Sequence, residues 1–183
     1  SIPGGHLMQA GDTAKIGLSS MFSAMMNEDT KNYTAEQIAV ELQKLGSNVN
    51  VGSGLDGITF SVQCLKKNLA KTMALVEERM LNHKFTESSF SRIQKQRLEN
   101  FKQTKADPAA VADIVFAKVN YGPNNILSMS PNGTEYTVKN LKLQDVENYY
   151  TGNITSKGVK VVIVGDVKQE EVLPQLAFLD KLP

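Results

Sequence analysis

The residues that most often carry chemistry are scarce in this sequence: among 183 residues there is one cysteine, there are two histidines, and there is no tryptophan. Cys64 has no intramolecular partner, which excludes a disulfide-stapled scaffold and leaves the redox compartment open. A hydrolytic metal generally needs three protein ligands and an open position. His6, in a glycine-rich opening, and His83, between two expected helices, are the only imidazoles, and neither lies in a pattern of acidic residues that completes such a set. Each reads as an exposed or hydrogen-bonded surface histidine.

Charge of one sign is missing as well. Twenty basic and nineteen acidic side chains give a net charge of +1, which supplies no broad field for nucleic acid or an anionic membrane. No long hydrophobic run exists: the segment Val159 to Val164 is interrupted by Lys160 and is too short to cross a bilayer, so no membrane insertion is expected. No signal-peptide pattern opens the chain. It starts at Ser1-Ile2-Pro3-Gly4-Gly5 without methionine, and residues 1–183 read as one domain, a processed product or a piece of something longer.

What is present is a regular alternation of helical and extended patterns. Asp12 is placed to cap a helix reaching about Asn27, with Ile16, Leu18, Met21, Phe22, Met25 and Met26 on a broad apolar face. Thr34-Ala35-Glu36-Gln37 has the spacing of a reciprocal capping box, and Gly46 closes the helix it starts. Asn48 to Val51 alternates strictly. After Gly52 to Gly57 the alternation resumes at Ile58, Phe60, Val62 and Cys64, which predicts a hairpin with one apolar face.

Helical spacing returns at Leu69, Met73, Val76 and Met80. Thr86 starts a further helix through Phe90, Ile93, Leu98 and Phe101, and Asp107-Pro108 stops that one and opens a third. Residues 122–133, with Pro123, Pro131 and three asparagines, read as a long, mobile surface loop. A short helix around Leu143 to Tyr150 precedes the β-branched run Val159 to Val164, expected as a strand buried on both faces. A last helix from about Lys168 should kink or end at Pro174. The class is α+β.

Other chemistries find little support. Gly52-Ser53-Gly54 lacks the glycine spacing of a nucleophile elbow, no phosphate-loop signature occurs, and Cys64 ends the apolar face of a strand as a small hydrophobe. Arg92, Lys95, Arg97, Lys102 and Lys105 form a basic stripe. Glu99, four residues after Lys95 and three before Lys102, favours a solvated, ion-paired helix face over nucleic-acid binding, and no aromatic platform accompanies the charges.

Taken together, the segments resemble the M16 metallopeptidases, the family of pitrilysin, insulin-degrading enzyme and the mitochondrial processing peptidases. Gly17-Leu18-Ser19-Ser20-Met21-Phe22-Ser23-Ala24-Met25 stands where that family writes G-L-A-H-F-L-E-H-M. Asn27 to Thr30 matches the segment after it, Ala35 to Gly46 the next helix, Asn48 to Ser53 the G-x-x-N-A-x-T strand, and Val162 to Val167 the V-V-G-D-V strand ending. Tyr149-Tyr150 matches a tyrosine-rich helix segment, read as core packing.

The resemblance implies a half-domain with a mixed or antiparallel sheet and helices on one face. It also implies a zinc site, two histidines and a glutamate on one helix with a distal glutamate, but those positions are Ser20, Ala24 and Ser23 here. Glu99 falls at the distal spacing, and one carboxylate cannot retain zinc alone. The expectation is a degenerate domain without metal or catalytic residues. It would help enclose the peptide chamber of a zinc protease whose active domain or subunit lies in cis or in trans; alternatively, it is a non-proteolytic scaffold or binding protein that kept the fold. Asn48, Val49, Asn50 and Val51 would then either bind a peptide or unfolded polypeptide along a free strand edge or form a plain edge facing the chamber or a neighbouring domain. The missing front, where the family has a further strand, agrees with a fragment, and exported relatives suggest periplasm or cell envelope.

Overall fold

The computed structural model describes residues 1–183. Its strands are β1 (Ile2–Pro3), β2 (Asn48–Ser53) and β3 (Gly57–Gln63), joined antiparallel in the order β1-β3-β2. Val51 lies opposite Phe60 and Val49 opposite Val62 in the hairpin, while Ile2 lies opposite Ile58. With the helices below, this is the α+β class expected.

Helix α1 (Leu18–Met25) is shorter than the sequence pattern suggested. Asp12 instead separates two 3-10 turns, His6–Gly11 and Thr13–Lys15, and the helix starts only after Gly17. The reason lies at Gly17 itself, whose φ of +100° is left-handed and whose missing Cβ would meet Asn132 O at 2.8 Å. An L side chain there would be strained twice over. Helix α2 (Ala35–Lys44) has the predicted box: Gln37 N–H donates to Thr34 Oγ1 (3.2 Å) and Thr34 N–H to Gln37 Oε1 (2.8 Å).

Helix α3 (Leu69–Leu81) precedes α4 (Glu87–Ala106), capped by Thr86, and α5 (Pro108–Tyr121), capped by Asp107. Next come α6 (Glu135–Asn140), α7 (Leu143–Asn153) and α8 (Gln169–Leu176). Sequence periodicity missed α6, which is too short to show any, yet Thr134 opens it by accepting from Thr137 N–H at 3.2 Å. Pro174 lies within α8, and the α-helix ends two residues later in a 3-10 turn, Ala177–Lys181.

One core gathers Met21, Phe22 and Met25 of α1 with Ile38, Val51, Ile58, Val76, Met80, Phe90 and Val146. Phe22 is fully buried, and its ring lies 4.8 Å from that of Tyr149, so the tyrosine pair is core packing as expected. Burying a side chain of this size contributes about 1.5–3 kcal/mol. Helix α5 alone among the α-helices buries no side chain, and Val115, Phe116 and Val119 are exposed.

Other expectations also need correction. The run Val159 to Val164 is not a buried strand; it joins no ladder, and Val161 to Val164 are exposed, because nothing lies beside them to pair with or cover them. The segment 122–133 is partly docked: Ser128 is buried, Asn132 bonds Ser20, and the Gly133 backbone lies against Ile16 O so closely that a Cβ would meet it at 2.5 Å. His6 is buried, its Nε2 3.0 Å from Ile126 O, since Gly5 lets the chain approach Leu55 O.

His83 is half-buried rather than on the surface, its ring 3.9 Å from Tyr150 and 4.3 Å from Phe85. Burial lowers its pKa below the usual 6.5, and Lys31 adds to the effect, against the raising influence of the Met80 backbone carbonyl. The unfolded ring takes up a proton near 6.5 while the folded ring resists to lower pH. The stability His83 contributes is therefore present above 6.5 and lost as pH falls toward the folded value. Urea unfolding should show a midpoint that declines between pH 7 and 5, and His83→Gln should flatten the decline over that window.

Candidate functional site

The edge of β2 away from β3 and the adjoining face of α1 form one polar seam. Backbone groups alternate sides along a strand, so in this register Asn48, Asn50 and Gly52 bond to β3 and the groups of Val49 and Val51 point outward. They are not free. Val51 N–H donates to Asn27 Oδ1 (3.0 Å), and Asn27 Nδ2 donates to Val51 O (2.8 Å) and to Ser23 O of α1 (2.8 Å). Arg79 of α3 completes the seam, its Nη1 donating to Val49 O (2.7 Å) and to Asn27 Oδ1 (3.1 Å).

Arg79 is buried, and desolvation lowers its pKa from the ordinary guanidinium value. Charge-assisted bonds from Nη1 to two oxygens offset part of the cost of burial, while its buried Nε lacks a partner. The consequence for Asn48 to Val51 is direct: an extended peptide adds to an edge through free main-chain groups, and three of those at Val49 and Val51 are taken. A peptide would have to displace Asn27 and Arg79 first.

On α1, Ser20 and Ala24 share a face, as an i, i+4 pair must. Ser20 Oγ donates to Asn132 Oδ1 at 2.8 Å, Ser23 Oγ to Ser20 O at 3.0 Å, and Ala24 packs against the core. The α4 side chain that reaches this face is Arg97, whose Nη2 donates to Ser20 O at 2.7 Å and whose buried Nη1 lacks a partner. Desolvation lowers its pKa. Glu99 points elsewhere, exposed and paired with Lys102 at 2.9 Å. The sequence places Glu99 at the right distance along the chain; the helix turns it to solvent.

Zinc does not fit these residues. Hydroxyl, methyl and guanidinium groups offer no imidazole or carboxylate, and a fixed cation beside Ser20 opposes a divalent one. No three or more His, Cys, Asp or Glu side chains come close enough to hold a metal anywhere in the chain. Arg97 also corrects the reading of the basic stripe. Lys102, Lys105 and Arg92 are ion-paired on the surface with Glu99, Glu135 and Glu28, but Arg97 turns inward. The signal that could have found Arg79 and Arg97 is their phase: each falls on the apolar face of its helix, beside Val76 and Met80 or Ile93 and Phe101.

Residues 1–123 match the family model for Insulinase (Peptidase family M16). Non-peptidase homolog YmxG of Helicobacter pylori is 23% identical over 165 residues, covering 90% of this chain and 38% of that protein. A probable mitochondrial-processing peptidase subunit beta of Arabidopsis thaliana is 21% identical over 165 residues, covering 89% of this chain and 30% of its own length. Among solved structures, a peptidase M16 inactive domain from Pseudomonas fluorescens superposes with a TM-score of 0.87 at 20% identity, over 98% of this chain and 43% of that one. The periplasmic protease PqqL from Escherichia coli gives 0.79 at 18% identity, over 100% of this chain and 21% of that one. These superpositions show the fold, and the chain spans less than half the length of each relative.

Because Asn27 serves Val51 and Arg79 at once, Asn27→Ala should leave buried groups unpaired and destabilise the fold by about 2–3 kcal/mol. Amide exchange should locate the damage: Val51 N–H, protected in the parent, becomes fast-exchanging while amides in α7 keep their protection.

Proposed function

Since the chain belongs to peptidase family M16, we propose that it is a non-catalytic domain helping to enclose the peptide chamber of a zinc-dependent protease, with the metal held by another M16 domain or subunit. The observation that carries this reading is the Arg97 guanidinium bonded to Ser20 O, where the resemblance would put a zinc ligand. The sealed outer edge of β2 supports a wall rather than a peptide-reading strand. Val115, Phe116 and Val119, exposed on a helix that buries nothing of its own, supply an apolar face for a partner domain. A periplasmic setting draws its support from the likeness to PqqL.

A second reading is a scaffold without any protease, favoured by the likeness to a protein named as a non-peptidase homolog. The two separate on what the partner carries. Mixed with candidate M16 domains or subunits, the chain should co-sediment with one bearing an intact H-x-x-E-H. Unfolded-peptide hydrolysis should then need both components. Phe116→Glu with Val119→Glu should abolish co-sedimentation and activity while circular dichroism stays unchanged. Hydrolysis by the chain alone, removed by a chelator, contradicts the proposal; a partner lacking the motif favours the scaffold.

A further inference from the structure

Helix α5 is tied to the domain at its two ends. Before it, Asp107 is extended (φ −96°, ψ +110°), and Pro108 has no N–H with which to continue the hydrogen bonds of α4. After it, Gly122 has a φ of +83°, and no atom lies within 4 Å of the point a Cβ would occupy. Beyond that glycine the chain is fixed again. Leu127 N–H donates to Asn125 Oδ1 (2.9 Å), Ser128 is buried, and His6 Nε2 lies 3.0 Å from Ile126 O. Between these ends little holds the helix. None of residues 108–121 is buried, none of their side chains makes a hydrogen bond or an ion pair, and the Asp107 cap on Ala109 N–H (3.0 Å) is purely local. By contrast α4 buries Phe90 and Ile93, and α7 buries Val146 and Tyr149.

The sequence of α5 does not make up for the missing contacts. Val111, Ile114, Val115 and Val119 are β-branched, and Phe116 and Tyr121 are aromatic, so each loses side-chain freedom on entering a helix. A helix of 14 residues is marginal in water even when rich in alanine, and helices in proteins draw most of their stability from a buried face. Alanine or lysine at the exposed positions would make a firmer helix. Val119 is 78% exposed and Phe116 66%, so neither serves the core. The apolar residues are retained although they weaken the element that carries them. Asp113 and Lys118, its only charged residues, lie to either side of the stripe Ala112, Val115, Phe116 and Val119, which therefore suits an apolar, uncharged surface.

We propose that residues 108–121 are an independently opening unit of the domain. In the free chain α5 frays and swings about Asp107 and Gly122 while α4, α7 and the turn at 126–128 stay folded, and it becomes fully ordered when the partner M16 domain closes over Val115, Phe116 and Val119. Docking and ordering are then one event, and part of the binding energy is spent on the helix. The opening rests on the chain's own contacts; the identity of the ordering surface rests on the function proposed above.

Amide exchange followed by NMR on the chain alone tests the opening. Amides of α5 should exchange within about tenfold of an unstructured peptide, while those of α7 are slowed by about a thousandfold or more. Val115→Ala with Val119→Ala should slow α5 exchange by about fivefold, the effect of two better helix formers at exposed sites, and leave the urea midpoint unchanged. When the M16 partner from the co-sedimentation is added, α5 amides should slow by about tenfold or more. Protection of α5 equal to that of α7 in the chain alone overturns the proposal. So does faster α5 exchange after the alanine substitutions, or a bound partner that leaves α5 exchange as it was. If no partner binds, the function proposed above fails, and exchange in the chain alone decides whether the unit opens.

Discussion

Asn27 meets Val51 much as a residue of a neighbouring strand would, taking its N–H and giving a hydrogen to its carbonyl, while a second hydrogen fixes Ser23 O on α1. Much else depends on this side-chain amide. It ends the sheet on one side without exposing a ladder of unpaired groups, and it ties α1 to the hairpin so that Met21, Phe22 and Met25 can fill the core between them. Arg79 reinforces it from α3. A buried cation is costly unless its donors are used, and here two acceptors stand within reach of one nitrogen.

The same constraint shapes what α1 can do. Held by Asn27, it presents Ser20 and Ala24 toward α4, and Arg97 rather than a carboxylate reaches that face. A metal-binding helix and this one share a shape because the shape comes from apolar packing and glycine geometry at Gly17, not from the ligands. Loss of histidine therefore removes the chemistry and leaves the architecture. The proposed role as a chamber wall needs no ligating side chains, only a closed edge on one side and an apolar surface, such as that of α5, on another.

Local signals were readable wherever the determinant is local. The Thr34–Gln37 box, the Asp107-Pro108 boundary and the alternation across Asn48 to Gln63 each involve neighbours in sequence, and each element formed as expected. Distant contacts were not readable. The closing of Gly17 onto Asn132 shortened α1, and glycines at positions 4 and 5 let His6 sink into the interior. The run Val159 to Val164 has the composition of a strand buried on both faces, but a strand needs a neighbour, and composition says nothing of whether one is beside it. Glu99 shows the limit most plainly, since correct spacing along the chain still left its carboxylate on the wrong side of the helix. Arg97 was counted with the solvated stripe although its phase, four residues from Ile93 and from Phe101, puts it on the apolar face.

Zinc titration calorimetry of the metal-free chain at neutral pH puts the central claim, that the α1 face no longer holds a metal, to its most direct trial. The account predicts no stoichiometric heat and no change on Arg97→Leu, because removing the cation still leaves serine and alanine where ligands would be. One tightly bound zinc per chain, lost on Glu99→Gln, would contradict it.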